Sequence, residues 1–326
     1  MIRNLIWEEE QLPYQLGWVL GGFRCTSLIM EKDGQSLSKL EVQSKKKQSN
    51  KNHINYINTA SIDTVLHLIA IDHQHKDAQV ICSFWNSVAE ACTIYVSNKC
   101  PFPIWPATAP NKGQPVIANG GFYLPPGQTK TIQAPGTWSG RIWARTGCNF
   151  NSNSKSNWKP ACETGDCNQQ FECKGEIGLP PVTLVEFSLQ VDKKKPSFYD
   201  VSLVDGYNLP VSVSTKRPET KCSIGGCLKN LKSVCPEELQ VLNDRREVVA
   251  CKSACLAFDL DKFCCRNEFR SPQKCKPSVY SKIFKDACPN YFSYAFDSPS
   301  PLVNCPSDEY VVTFCPSKWG TEHTDA

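Results

Sequence analysis

Thr183-Leu-Val-Glu-Phe-Ser-Leu-Gln-Val191 puts Val185, Phe187, Leu189 and Val191 on one side of an extended chain and Glu186, Ser188 and Gln190 on the other. That period of two is the mark of a strand with one face on a core. Phe198 to Val204 repeats it, with Tyr199, Val201 and Leu203 inward and Asp200 and Ser202 outward, and Asp205-Gly206 then supplies a hairpin turn. Upstream, Thr93-Ile-Tyr-Val96 reads as a strand. Arg141 to Thr146 alternates so that Ile142 and Ala144 face one way and Arg141, Trp143 and Arg145 the other. With Pro125-Pro-Gly127 and Ala134-Pro-Gly136 as turns, the pattern predicts a mainly β protein, a sandwich or a barrel. Helical spacing comes late. Ser278 to Ala287 places Val279, Tyr280, Ile283, Phe284 and Ala287 on one stripe, and Pro236–Leu242 and Lys252–Phe258 are weaker pieces.

Cysteine use sets the compartment. The 326 residues contain 19 cysteines, sixteen of them from Cys100 to Cys315, with only Cys25, Cys82 and Cys92 before. An even set concentrated in one stretch reads as a disulfide framework made under oxidising conditions. Structural zinc would want paired Cys-x2-Cys or accompanying His. The five histidines are His53, His67, His73, His75 and His323, so the stretch from Cys92 to Gly320 has none. A Ser/His or Cys/His nucleophile and a His-ligated metal are thereby excluded from the body, and any acid–base chemistry there falls to carboxylates. No metal or other cofactor is expected. The net charge is +4, without a basic cluster interleaved with aromatics, so nucleic acid is not an expected partner. No apolar run approaches the ~18 residues of a membrane span. No Asn-x-Ser/Thr sequon occurs.

Residues 1–91 differ from the rest of the chain. Lys32 to Asn58 is polar and rich in Lys, Gln, Asn and Ser, and is read as disordered or spurious. The run Val80 to Val88 leads into Ala89-Glu90-Ala91, which has the small-x-small form of a signal-peptidase site, with a second apolar run, Val65 to Ile71, upstream. The expectation is a 1–91 extension with a signal ending near Ala91, a body over 92–316 and a tail over 317–326.

Seven segments in order carry a resemblance. They are Gly140-Arg-Ile-Trp-Ala-Arg-Thr-Gly-Cys148, Cys162-Glu-Thr-Gly-Asp-Cys167, Thr183 to Leu189, Tyr199-Asp-Val-Ser-Leu-Val-Asp-Gly-Tyr-Asn208, Cys264-Cys265, Tyr291-Phe-Ser-Tyr-Ala-Phe-Asp297 and Thr313-Phe-Cys-Pro316. Together they resemble the thaumatin-like proteins, the pathogenesis-related type found in plants. The resemblance implies a β-sandwich core (92–145, 182–228, 289–315), a small disulfide subdomain (146–181) and a helix and loop disulfide subdomain (229–288). It implies the bridges Cys100–Cys315, Cys148–Cys162, Cys167–Cys173, Cys222–Cys305, Cys227–Cys288, Cys235–Cys251, Cys255–Cys264 and Cys265–Cys275. Cys92 is a seventeenth cysteine of the body, either incidental or a site of intermolecular bridging. Trp158-Lys-Pro-Ala161 and Asn168-Gln-Gln170 depart from the family's glycine-rich small loops.

The family's cleft of one Arg, one Glu and three Asp maps here onto Arg145, Glu186, Asp200, Asp205 and Asp297, with Tyr207 beside the turn as a ring for sugar stacking. The resemblance implies a secreted, monomeric, antifungal defence protein of the extracellular space or vacuole, binding β-1,3-glucan or fungal wall or membrane components. Two alternatives stand beside it. One is a weak endo-β-1,3-glucanase with Glu186 as acid and Asp205 as its partner; the other is a non-catalytic inhibitor or structural protein in which Arg145 serves as counter-ion to Glu186 and a neighbouring Asp.

Overall fold

The computed structural model describes residues 29–32, 35–37, 66–70, 79–84, 91–150, 160–190 and 195–316, and divides into two units, 1–88 and 89–326. In the first, β1 (Ile29–Lys32), β2 (Gln35–Leu37), β3 (Leu66–Ala70) and β4 (Gln79–Phe84) form one sheet in the order β2-β1-β4-β3. β3 and β4 coincide with the two apolar runs noted in the sequence, Val65 to Ile71 and Val80 to Val88. Most of the polar residues between Lys32 and Asn58, and residues 85–90 before the supposed cleavage site, lie outside the described residues.

The second unit is a two-sheet sandwich. One sheet contains β6 (Trp105–Pro110), β8 (Ser139–Arg145), β9 (Leu184–Ser188), β10 (Ser197–Ser202) and β14 (Val303–Cys305), in the order β14-β10-β9-β8-β6. The other contains β5 (Ala91–Asn98), β7 (Thr129–Pro135), β11 (Val211–Thr215) and β15 (Glu309–Phe314), in the order β11-β15-β5-β7. Most neighbours are antiparallel, and β5 with β15 is the parallel pair.

The alternation read from the sequence points where it should. Val185, Phe187 and Leu189 are buried, as are Tyr199, Val201 and Leu203, and they meet Ile94, Val96, Tyr310, Val312 and Phe314 from the facing sheet. Phe187, Tyr199 and Tyr310 form a triangle of rings with centroids 5.5–5.8 Å apart, and the Tyr199 hydroxyl donates to the Cys222 carbonyl at 2.6 Å. Cys92 is part of this core at 2% exposure, which argues against a surface-exposed intermolecular bridge.

The opposite face of the five-stranded sheet is not open to solvent as the alternation suggested. Trp143 and Arg145, read as outward, are fully buried. A smaller core of Ala107, Ala109, Trp143, Val182 and Leu184 with the Cys167–Cys173 bridge covers that end of the face, and Trp143 donates its indole N–H to the Gly165 carbonyl at 2.9 Å.

Residues 229–288 carry the hairpin β12 (Gln240–Leu242) and β13 (Val248–Cys251), and the helices α1 (Ala254–Phe258), α2 (Asp261–Cys264) and α3 (Val279–Ala287). The expected helical piece over 236–242 is instead a single 3-10 turn, Glu237–Leu239, running into β12. Eight disulfides, in the pairs the resemblance implies, tie the unit together.

Asp205-Gly206 does turn the chain, with the Gly206 N–H on the Leu203 carbonyl at 2.9 Å. It closes no hairpin. The chain leaves β10 in one sheet and enters β11 in the other. Gly206 has φ +93°, and a Cβ there would lie 2.4 Å from Pro181 Cβ and 2.7 Å from the Cys251 carbonyl oxygen, so the position suits glycine on both counts.

Candidate functional site

Register across the five-stranded sheet decides which charges meet. β8 pairs with β9 so that Arg141 lies opposite Glu186, and β9 pairs with β10 so that Glu186 lies opposite Asp200. Residues directly opposite on antiparallel strands share a face, with Cβ atoms about 4.5–5.5 Å apart. Arg141, Glu186 and Asp200 therefore form one cross-strand row. The Arg141 guanidinium is 3.5 Å from a Glu186 carboxylate oxygen, with 16% and 11% of the two side chains exposed. Asp200, at the inner end, is 1% exposed, and neither of its carboxylate oxygens has a hydrogen-bond partner among the described residues. Burial first, and the Glu186 carboxylate second, push the Asp200 carboxyl well above the usual carboxylate range, with Arg141 opposing. The shift favours its neutral form, and a protonated carboxyl is a hydrogen-bond donor.

Arg145 does not belong to the row. β9 begins at Leu184, so Arg145 lies past its end and pairs on its other side, with Trp105 of β6. Fully buried, it donates to three backbone carbonyls: Trp105 at 3.0 Å, Gln170 at 2.8 Å and Phe171 at 2.9 Å. Burial draws its pKa down to about 10, and the nearby Asp166 opposes that shift, so it stays a cation at neutral pH. The counter-ion of Glu186 is Arg141, four residues earlier on the same face. Sequence reasoning placed both arginines on that face and gave the role of counter-ion to Arg145; the register gives it to Arg141.

The remaining assigned residues divide. Asp297 is buried, and one of its oxygens accepts from Lys285 Nζ at 3.1 Å and from the Ser293 N–H and hydroxyl at 2.8 and 2.9 Å. It is thus already neutralised and engaged in holding its own loop. Asp205 is exposed at the turn, and no hydrogen bond or ion pair among the described residues joins its side chain to Glu186. Tyr207 is 0% exposed and packs in the main core. Its backbone N–H and carbonyl both bond Cys251 at 2.8 Å, which fixes the residue against β13 with the ring inward. It offers no face to a sugar.

A sandwich of two antiparallel-rich sheets, eight disulfides and a loop and helix subdomain between Cys235 and Cys288 define a disulfide-stapled β protein. A thaumatin family profile matches residues 98–316, and the chain belongs to that family. A thaumatin-like protein of Arabidopsis thaliana is 46% identical over 231 residues, 71% of this chain and 92% of that one. The pathogenesis-related thaumatin-like protein 3.5 of Cryptomeria japonica is 44% identical over 234 residues, 72% of this chain and 94% of that one. Among solved structures, a laminaripentaose-producing β-1,3-glucanase in complex with laminaritetraose aligns at a TM-score of 0.49 and 11% identity, over 69% of this chain and 98% of that one.

Proposed function

We propose that the protein is a secreted defence protein that binds a neutral β-glucan, β-1,3-linked in a fungal wall, through the Arg141–Glu186–Asp200 row. The observation that carries this reading is the state of the charges. Glu186 is paired with Arg141, Asp297 with Lys285, and Asp200 is buried without a hydrogen-bond partner among the described residues. A surface rich in acids by residue count is therefore close to neutral where the row lies. Such a row lacks the net charge to hold a cationic partner, and supplies donors and acceptors for hydroxyl groups. A buried carboxyl with no partner gains a hydrogen bond when a ligand hydroxyl reaches it.

Hydrolysis is the second reading, favoured by one observation: the Asp200 carboxyl, whose pKa burial raises, stands beside Glu186, which is paired with Arg141, and unlike environments are how acid and base roles are divided. On that reading the roles change hands, with Asp200 as the acid and Glu186 as the base or nucleophile. Catalytic carboxyls flank the scissile bond at about 5–5.5 Å or 6.5–9.5 Å, and Glu186 and Asp200 are cross-strand neighbours on one face.

The test mixes the full chain with insoluble β-1,3-glucan at mildly acidic pH and scores protein depletion and released reducing ends together. Depletion without sugar release, lost in Arg141→Ala, is the expected result. Release that disappears in Glu186→Gln would establish the hydrolase instead.

A further inference from the structure

Four rings touch in sequence on the surface at the far end of the same sheet face. Tyr123 and Trp105 have centroids 5.4 Å apart, Trp105 and Phe150 6.3 Å, and Phe150 and Phe171 5.4 Å. Tyr123 is 47% and Phe171 44% exposed, and Trp105 and Phe150 are half-buried. A contiguous exposed aromatic patch marks a binding surface more often than chance placement does.

This one is also held rigid from below. The buried Arg145 guanidinium lies 5.5 Å from the Phe150 ring centroid while donating to the Trp105 and Phe171 carbonyls. One cation thus fixes three of the four residues, which lowers the ordering cost of binding.

We propose that Tyr123, Trp105, Phe150 and Phe171 form a second carbohydrate surface, on which a neutral β-linked polysaccharide lays the C–H faces of its sugar rings. The ligand class rests on the reading under Proposed function. Three observations point to that class. The outer edge of β6 beside the ridge is already bridged, Ile104 to Leu124 and Ala107 to Gly121, so at those positions no extended peptide can add as a strand. The rings carry no charge, and the adjoining polar pair, Asn119 donating to Glu172 at 3.0 Å, supplies hydroxyl-binding groups. Successive planes are inclined by 54°, 65° and 80°, which suits a coiled chain better than a flat ribbon.

Ridge and row occupy opposite ends of one face. Arg141, Trp143 and Arg145 step along β8 between them, with Trp143 fully buried. A polymer with many repeats can engage both, and linked engagement multiplies affinity by about 10² or more.

The test uses the full chain and Tyr123→Ala/Phe171→Ala, which removes the two most exposed rings and leaves the Phe171 carbonyl in place. Binding is measured to insoluble β-1,3-glucan, to cellulose and to a short soluble β-1,3-oligosaccharide, with the thermal midpoint as the folding check. The expected result is a loss of polymer affinity of at least about tenfold, with oligosaccharide binding unchanged and cellulose bound more weakly than β-1,3-glucan by the unaltered protein. Polymer binding within twofold of the unaltered protein (~0.4 kcal/mol), or no polymer binding by that protein at all, would overturn the ridge. If the double variant lost its thermal transition, Tyr123→Ala alone would be read by the same two outcomes. Arg141→Ala separates the two sites. If it bound polymer normally while the ridge variant did not, the row would fail as the glucan site and the ridge would stand.

Discussion

Asp200 is the residue whose environment most departs from what its side chain wants. A carboxyl with a raised folded-state pKa binds a proton that the unfolded chain releases near pH 3.9. Stability from this group is therefore greatest below that pH and falls as pH rises toward the folded-state value. Asp200→Asn removes the titration. The thermal midpoint of the variant relative to the unaltered protein should rise between pH 4 and pH 7, and a difference independent of pH would contradict the assignment. Arg145 is the opposite case, a buried cation held by three backbone carbonyls. Arg145→Ala strands three carbonyl acceptors, at about 1–3 kcal/mol for each one left dry. Urea unfolding should show the protein severely destabilised, and whatever remains folded should still bind a short soluble β-1,3-oligosaccharide, since Arg145 lies outside the row. The sequence displayed both arginines on one strand face and could not say which met Glu186, because that depends on a pairing offset that composition and periodicity do not contain.

The elements show where a pattern suffices and where it does not. Strands β9 and β10 were legible because their inward residues alternate without a break. α3 was legible from its stripe and its start. Ser278 accepts from the Ser281 N–H at 3.1 Å while the Ser281 hydroxyl accepts from the Ser278 N–H at 2.7 Å, a complete capping box. Ser278→Ala should cost about 1 kcal/mol, read as a shift in the urea midpoint without a change in slope. The predicted stripe was too wide, since Val279 is 68% exposed while Phe284 and Ala287 carry the packing. Pro236–Leu242 misled because a 3-10 turn followed by a strand shares its first few spacings with a helix. Tyr207 misled for a related reason: its neighbour Asp205 is exposed, but the Gly206 turn and the pairing with Cys251 send the next side chain inward.

For the molecule as a whole, the bridges hold together a chain whose smaller subdomains have little core of their own. Sixteen cysteines allow far too many pairings for sequence to choose among, and it was the resemblance that supplied the set. Cys100–Cys315 joins positions 215 residues apart, linking the end of β5 to the end of β15. Replacing both cysteines should cost about 2–5 kcal/mol, seen as a lower thermal midpoint that reducing agent no longer changes through this bridge. The same architecture explains why the row and the ridge stay apart: the small disulfide subdomain sits on Trp143 between them. The most direct measurement is depletion of the full chain by insoluble β-1,3-glucan, with reducing ends assayed in the same tube, for the unaltered protein and for Arg141→Ala. Depletion without sugar release, reduced at least about tenfold in affinity by Arg141→Ala, is what the charge-balanced row predicts; binding that Arg141→Ala leaves untouched would contradict it.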